Sequence, residues 1–212
     1  MGGQSAAKRH RALRVSNAGG RKRIVRQDRA RPESSLHFKL MAFSFKFRDL
    51  LQPPQRLLEK ARLGEGMFVV DYGCGPGSFT IPVAELIGGK GRVFAVDINP
   101  MAVSSVKRKA SQKALENLET VLVQGCDTGI GDSSIDRVLL IDTFAQIEDR
   151  EGLLREIHRV LKGEGLLLIA REHMNMSRQR EIVLKSGLFT VVDSWKEGML
   201  LAKELGKERS TK

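Results

Sequence analysis

The sequence predicts an α/β fold: a doubly wound parallel sheet with helices on both faces. Three observations predict it. Strand-length apolar runs alternate with helical patterns from residue 67 to residue 187, the alternation that builds crossover units. A glycine-rich turn, Gly73-Cys74-Gly75-Pro76-Gly77, joins the first strand of that series to its first helix. The most apolar runs, 138–141 and 166–170, are near-continuous and of strand length, as expected of strands buried on both faces.

The elements follow in order. Pro53-Pro54 ends one segment and starts a helix over 55–63, closed by Gly64. Residues 67–72 form a buried strand, and the helix over 79–87 stops at Gly88-Gly89. Strand 92–98, helix 101–115 and strand 119–124 come next, then strand 135–142, helix 150–161 and strand 165–170. Helix 177–186 is closed by Gly187, and 189–195 with 199–205 make a final strand pair across Glu197-Gly198. In such sheets ligands sit at the carboxyl ends of the strands, so functional residues should lie just after each one.

Composition narrows the function classes. The 212 residues suit one domain with tails or two very small ones, and 41% hydrophobic content supports a packed core. No apolar run approaches the ~20 residues of a membrane span, and no apolar stretch of leader type follows Met1. Cys74 and Cys126 cannot make a disulfide framework and lack zinc-site spacing, so no metal is expected and a reducing, cytoplasmic home is. Residues 1–36 hold ten Lys/Arg against two acids, +8 of the chain's +11. The remainder is nearly neutral and makes no electrostatic case for a polyanionic substrate.

The basic stretch reads as a flexible arm, and three uses stay open: a solvated extension, a nucleic-acid contact or a targeting segment. Beyond it the chain turns aromatic, with Phe38, Phe43, Phe45 and Phe47 interleaved with Lys39, Lys46 and Arg48. This is either a helix packed on the core or a lid over an apolar substrate. The organisation expected is therefore a basic arm (1–36), a helical or lid segment (37–63) and a ligand-binding domain (64–212).

The glycine loop discriminates between ligands. A dinucleotide fingerprint wants its third glycine where Ser78 stands. Asp71, at the strand end beside the glycines, would repel a pyrophosphate and suit an ammonium. S-adenosylmethionine has an ammonium, a sulfonium and a carboxylate, and no phosphate; its carboxylate can take backbone N–H groups at the loop and helix start. Asp97 ends the second strand, where an acid accepts from both ribose hydroxyls. Ile98 can lie on the adenine face and Asp127, beyond the third strand with Cys126, can accept from the adenine amino group. Asp142 stands at the mouth of the fourth strand. Each of these acids could instead be a plain turn residue.

Taken together, the residues from Asp71 to Gly77, Asp97, Asp127, Ser134-Ile135-Asp136-Arg137-Val138 and the run from Glu156-Ile157-His158-Arg159 to Gly163-Glu164-Gly165 resemble class I S-adenosylmethionine-dependent methyltransferases. The branch is the small "type 11" one, similar to ubiquinone/menaquinone C-methyltransferases, and the resemblance covers roughly residues 50–205. It implies a Rossmann-like, mostly parallel seven-stranded sheet whose last strand is antiparallel. It implies S-adenosylmethionine as cofactor, held around Asp71, Tyr72, Gly73, Cys74, Gly75, Gly77, Asp97, Ile98, Cys126, Asp127 and Asp142.

Methyl transfer from a sulfonium is an in-line displacement that rests on positioning in a dry pocket, and a base is required only for a protonated, weakly acidic nucleophile. Candidates to face the methyl group are Asp142-Thr143-Phe144-Ala145-Gln146 and Arg171-Glu172-His173-Met174. His173 is the expected catalytic or acceptor-contacting group, against the alternative of a surface histidine. His158, mid-helix, reads as structural, and Cys74 as a small packing residue. The leading expectation is methyl transfer to a small-molecule acceptor. The alternatives are an RNA or DNA methyltransferase using the basic arm and a non-catalytic S-adenosylmethionine-binding scaffold. Asp142-Thr143-Phe144 stands where amino-methylating nucleic-acid enzymes carry Asn/Asp-Pro-Pro-Tyr, and Ser78 with Asp71 disfavours a nicotinamide dehydrogenase. Nothing in the sequence indicates an oligomeric state.

Overall fold

The computed structural model of the chain describes residues 54–171 and 173–205; the basic arm, the aromatic segment up to residue 53, Glu172 and residues 206–212 lie outside the described residues. Helix α1 (Gln55–Lys60) leads into β1 (Phe68–Tyr72), α2 (Thr80–Ile87), β2 (Arg92–Asp97), α3 (Pro100–Gln112) and β3 (Leu118–Leu122). Then come β4 (Ile135–Ile141), a 3-10 turn (Phe144–Gln146), α4 (Arg150–Val160), β5 (Leu161–Ala170), α5 (Met176–Lys185), β6 (Phe189–Trp195) and β7 (Gly198–Lys203).

The seven strands form one sheet in the order β3-β2-β1-β4-β5-β7-β6. β1 to β5 pair in parallel, and β7 runs antiparallel to both β5 and β6. The chain winds outward from β1 to β3, then returns to place β4 on the other side of β1. The strand order thus reverses between β1 and β4, which is where an open α/β sheet leaves a crevice.

Both faces are apolar because both are covered. On one, Leu57 and Leu58 of α1 and Val83, Ala84 and Ile87 of α2 join Val69, Val93, Leu139 and Leu168 of the sheet. Val106 of α3 packs with Ala95 and Cys74 on that side. On the other, Leu153, Leu154, Ile157 of α4 and Val183 of α5 join Val70, Tyr72, Val138, Leu140 and Leu167. Helix starts follow local chemistry. Asn99 accepts from Met101 N at 2.9 Å with Pro100 in the first helical position of α3, and Asn175 accepts from Ser177 N at 2.8 Å ahead of α5.

Several boundaries differ from the sequence expectation by one to three residues, among them the ends of α1 at Lys60, α3 at Gln112 and β7 at Lys203, and two further differences concern β3 and β5. β3 ends at Leu122, so Gln124 to Asp127 are loop rather than strand end. β5 begins at Leu161, straight out of α4, not at residue 165. Leu161 pairs with Ile135, and the register then shifts before Arg137 pairs with Leu166. Gly165 sits at that irregularity with no room for a side chain: a Cβ there would meet Leu161 Cδ2 at 2.8 Å and Ile135 O at 3.0 Å. The glycines between 163 and 165 mark a bulge within one strand, where the sequence reading saw a break between two elements.

Candidate functional site

Strand register brings the ends of β1 to β5 to one rim. Asp97 pairs with Leu122, Tyr72 with Val96 and Leu140, and Ile141 with Ala170, so five parallel strands end side by side. The loop after β1 crosses over β2: Gly73 N and Cys74 N both donate to Val96 O, at 2.8 and 3.1 Å. Gly73, Gly75 and Gly77 have φ of +79°, +49° and +89°, the left-handed region that a side chain disfavours. Gly73 has a second constraint, since a Cβ on it would collide with Thr143 beyond β4. The pattern Gly-x-Gly-x-Gly is thus needed by the loop's own path.

Asp97 is half-buried and fixed by the backbone. Oδ2 accepts from Gly75 N at 2.9 Å and Oδ1 from Asn99 N at 2.8 Å. The acid therefore ties the glycine loop to the start of α3. Ile98 beside it is 61% exposed, an apolar side chain held out at the rim. Asp71 is placed differently. It is only 3% exposed, faces α2 and accepts from Thr80 Oγ1 at 2.5 Å. Burial raises its pKa to about 6, the Thr80 hydroxyl opposes that, and the neighbouring Asp97 charge adds to it. Asp71 thus lies behind the rim with its carboxylate turned to α2. Tyr72 points to the other face, where Oη donates to Gly125 O at 3.0 Å. Burial drives the Cys74 thiol well above its ordinary range, so it packs and does not react.

After β3 the chain stays irregular as far as Ser134. Asp127 is exposed there and turns the loop by accepting from Gly129 N at 2.9 Å. Cys126 is half-buried, with Sγ 3.5 Å from Asp149 O. A groove of about 580 Å³ runs along this loop and α4, lined by Cys126, Asp127, Ile130, Gly152, Arg155 and Arg159 among others. Among its described lining residues none comes from the glycine loop.

Beyond β4 and β5, Asp142 and Arg171 adopt φ of +56° and +55°, strained for residues with side chains. The Arg171 guanidinium lies 5.5 Å from the centre of the Phe79 ring. Arg150 fixes the 3-10 turn by donating to Phe144 O and Ala145 O at 3.2 and 2.6 Å. His173 is exposed in the bend before α5. His158 is remote from this rim in its contacts: Nε2 lies 2.9 Å from Glu204 O and the ring stands edge-on to Phe189. Sequence reasoning missed Thr80, the partner of Asp71, and Thr128, whose contacts are described below. A lone threonine leaves no signal in a single sequence.

The residues fit a cationic nucleoside without phosphate. Asp97 ends β2 with exposed Ile98 next to it, Asp142 follows β4 at the rim, and the loop from Asp71 to Phe79 contains no Lys or Arg. Lys109, which approaches it, gives its ammonium to Pro76 O at 2.5 Å.

Comparison with known proteins agrees with this chemistry. Residues 63–204, well over half of the chain, match a family described as a methyltransferase domain. Demethylmenaquinone methyltransferase of Geobacillus stearothermophilus is 25% identical over 132 residues, 62% of this chain and 56% of that protein. (S)-coclaurine N-methyltransferase of Thalictrum flavum subsp. glaucum is 31% identical over 116 residues, 55% of this chain and 31% of that one. The chain thus spans about half or less of the length of these relatives. A solved S-adenosylmethionine-dependent methyltransferase from Aquifex aeolicus shares the fold at a TM-score of 0.64 and 23% identity, over 74% of this chain and 91% of that one. With the family matched along the whole sheet, the chain belongs to the methyltransferase-domain family, within the class I S-adenosylmethionine-dependent methyltransferases.

Proposed function

We propose that the chain transfers the methyl group of S-adenosylmethionine to a small-molecule acceptor. The observation that carries this reading is the meeting of Asp97 with a three-glycine loop free of Lys and Arg at the reversal of strand order. When bound, the cofactor supplies a methyl group on a positively charged sulfur. The protein's work is then to hold and orient. The backbone donors of Gly73, Cys74, Gly75 and Gly77 are spent on shaping the loop, so the amino-acid carboxylate falls to the N–H groups at the start of α2. Asp97, already aligned by Gly75 and Asn99, takes the ribose hydroxyls, Ile98 covers the adenine face, and Asp127 beside Cys126 accepts from the 6-amino group. Asp71, behind the loop, adds a field that favours the cationic end when ionised.

The acceptor side falls to the ends of β4 and β5, with Asp142 at the mouth and His173 as the polar group nearest to a catalytic role. Relatives named for demethylmenaquinone and coclaurine support an acceptor of low molecular mass with an apolar ring system. We place the protein in the cytoplasm on its two free thiols. Among the described residues no helix is long and apolar enough to cross a membrane.

The test is incubation of the purified protein with cell extract and isotope-labelled methyl donor, followed by mass spectrometry. Label is expected in a product of low mass; label confined to RNA or DNA, or absent from every product, overturns the reading. Two variants assign the roles. Asp97→Ala should weaken donor binding by about 1.5–3 kcal/mol, the range of hydrogen bonds to a charged group. His173→Ala should slow turnover and leave that affinity alone.

A further inference from the structure

An ionic cluster centred on one buried carboxylate joins α4 to the loop after β3 and has no role in the proposed reaction. Glu156, on α4, is 9% exposed, yet its carboxylate accepts four hydrogen bonds. Oε1 receives Thr128 N at 2.9 Å, Thr128 Oγ1 at 2.6 Å and Arg159 Nη2 at 2.7 Å, while Oε2 receives Arg159 Nε at 2.8 Å. Arg159 also pairs with Asp132, at the far end of the same loop. Burial alone would raise the Glu156 pKa, but the bonds from Arg159 and Thr128 outweigh it and hold the carboxyl below its ordinary range. The group is ionised and fully engaged.

Its partner Thr128 follows Asp127 directly. Thr128 Oγ1 also accepts from Ile130 N at 3.2 Å, and Asp127 Oδ1 from Gly129 N at 2.9 Å. On the other side of Asp127, Tyr72 Oη holds Gly125 O at 3.0 Å. A stretch with no helix or strand of its own is thus anchored on both flanks of Cys126-Asp127, to β1 and to α4. The anchor on α4 is steep. A buried carboxylate that loses a donor keeps its desolvation cost without compensation, so the loop is held in one docked state and not in a series of looser ones.

We propose that Glu156, acting through Thr128 with Arg159 as its counter-ion, is a positioning residue that sets Cys126 and Asp127 to read the amino edge of the adenine ring. This rests on the assignment of Asp127 to that ring. Releasing the clamp multiplies the donor's affinity by the fraction of loops still docked, so the apparent Kd rises. The loss falls on whatever Asp127 recognises, and the rest of the site is untouched.

The probes are S-adenosylhomocysteine and S-inosylhomocysteine, which differ by an oxygen in place of the 6-amino group. Calorimetry on the full chain should show the adenosyl compound preferred by about tenfold or more, one good hydrogen bond's worth. Thr128→Val and Glu156→Gln should each bring the two affinities to within about threefold by weakening the adenosyl compound alone, and Thr128→Ser should restore the preference. Asp127→Asn is the control and should collapse the same ratio. Variants that melt earlier yet keep the wild-type ratio overturn the proposal and leave Glu156 as a structural pin. If the wild type shows no preference, or Asp127→Asn keeps it, the Asp127 assignment fails and the proposal falls with it. If the wild type binds neither compound, the cofactor reading itself is lost.

Discussion

Asp71 has a carboxylate in a place where water cannot reach it. With 3% exposure and donors from Thr80 that do not offset its burial, its charged form is poorly compensated, and its pKa rises to about 6 from an ordinary 3.8. The native state then binds a proton more tightly than the unfolded chain does. Stability from this group is therefore fully present below pH 3.8 and is lost as the pH climbs through 6. A shift of about two units corresponds to roughly 3 kcal/mol between those limits, at ~1.4 kcal/mol per unit. Asp71→Asn keeps the shape and an acceptor for Thr80 but cannot ionise. Urea unfolding at a series of pH values should show the wild type losing about that much more stability than the variant between pH 4 and pH 7.5. Parallel curves would mean that Asp71 is better solvated than its burial implies.

At the scale of elements, the local signals and the long-range ones part company. Starts of helices were legible because their chemistry is local: Asn99-Pro100 opens α3 and the chain bends at Gly88 after α2. β6 agrees residue for residue with the alternation over 189–195. What stayed hidden depends on partners far along the chain. The early start of β5 requires Ile135 to pair with Leu161, and the burial of Glu156 requires Thr128 to close over it. In the site, Asp97 and the glycine loop could be picked out, since a strand end and a turn announce themselves. The retreat of Asp71 behind the loop could not, because position along a strand does not tell which face has room for solvent. Helix α4 shows the local kind of coupling most sharply. Asp149 caps it by accepting from Gly152 N at 2.8 Å, and a side chain at Gly152 would collide with that carboxylate. Asp149→Ala should cost about 0.5–2 kcal/mol of unfolding free energy, while Asp149→Ser should recover most of it. Equal losses in both variants would show that the cap bond carries none of the helix's stability.

For the molecule as a whole, the sheet is one cooperative object, and the proposed site draws on both of its covered faces. Tyr72 belongs to the cluster under α4 and α5, Phe79 to the cluster under α1 and α2, and both flank the same glycine loop. Anything bound at the rim is thus linked to the folding of both layers. A ligand that binds only the native state stabilises it by about 2.7 kcal/mol at a hundred times its Kd. For a chain of this size each kcal/mol moves the melting temperature by ~2–4 °C, so S-adenosylhomocysteine at that excess should raise it by roughly 5–10 °C. Because both layers share the loop, the transition should move as a single step, with near-ultraviolet and far-ultraviolet circular dichroism shifting together. A nicotinamide dinucleotide at the same concentration should leave the midpoint where it was, since Ser78 stands where its third glycine is needed and its pyrophosphate would face the field of Asp71 once that is ionised. A shift produced by the dinucleotide and not by the nucleoside would reverse the assignment of the pocket. A shift in only one spectral region would instead divide the sheet into two independently melting layers.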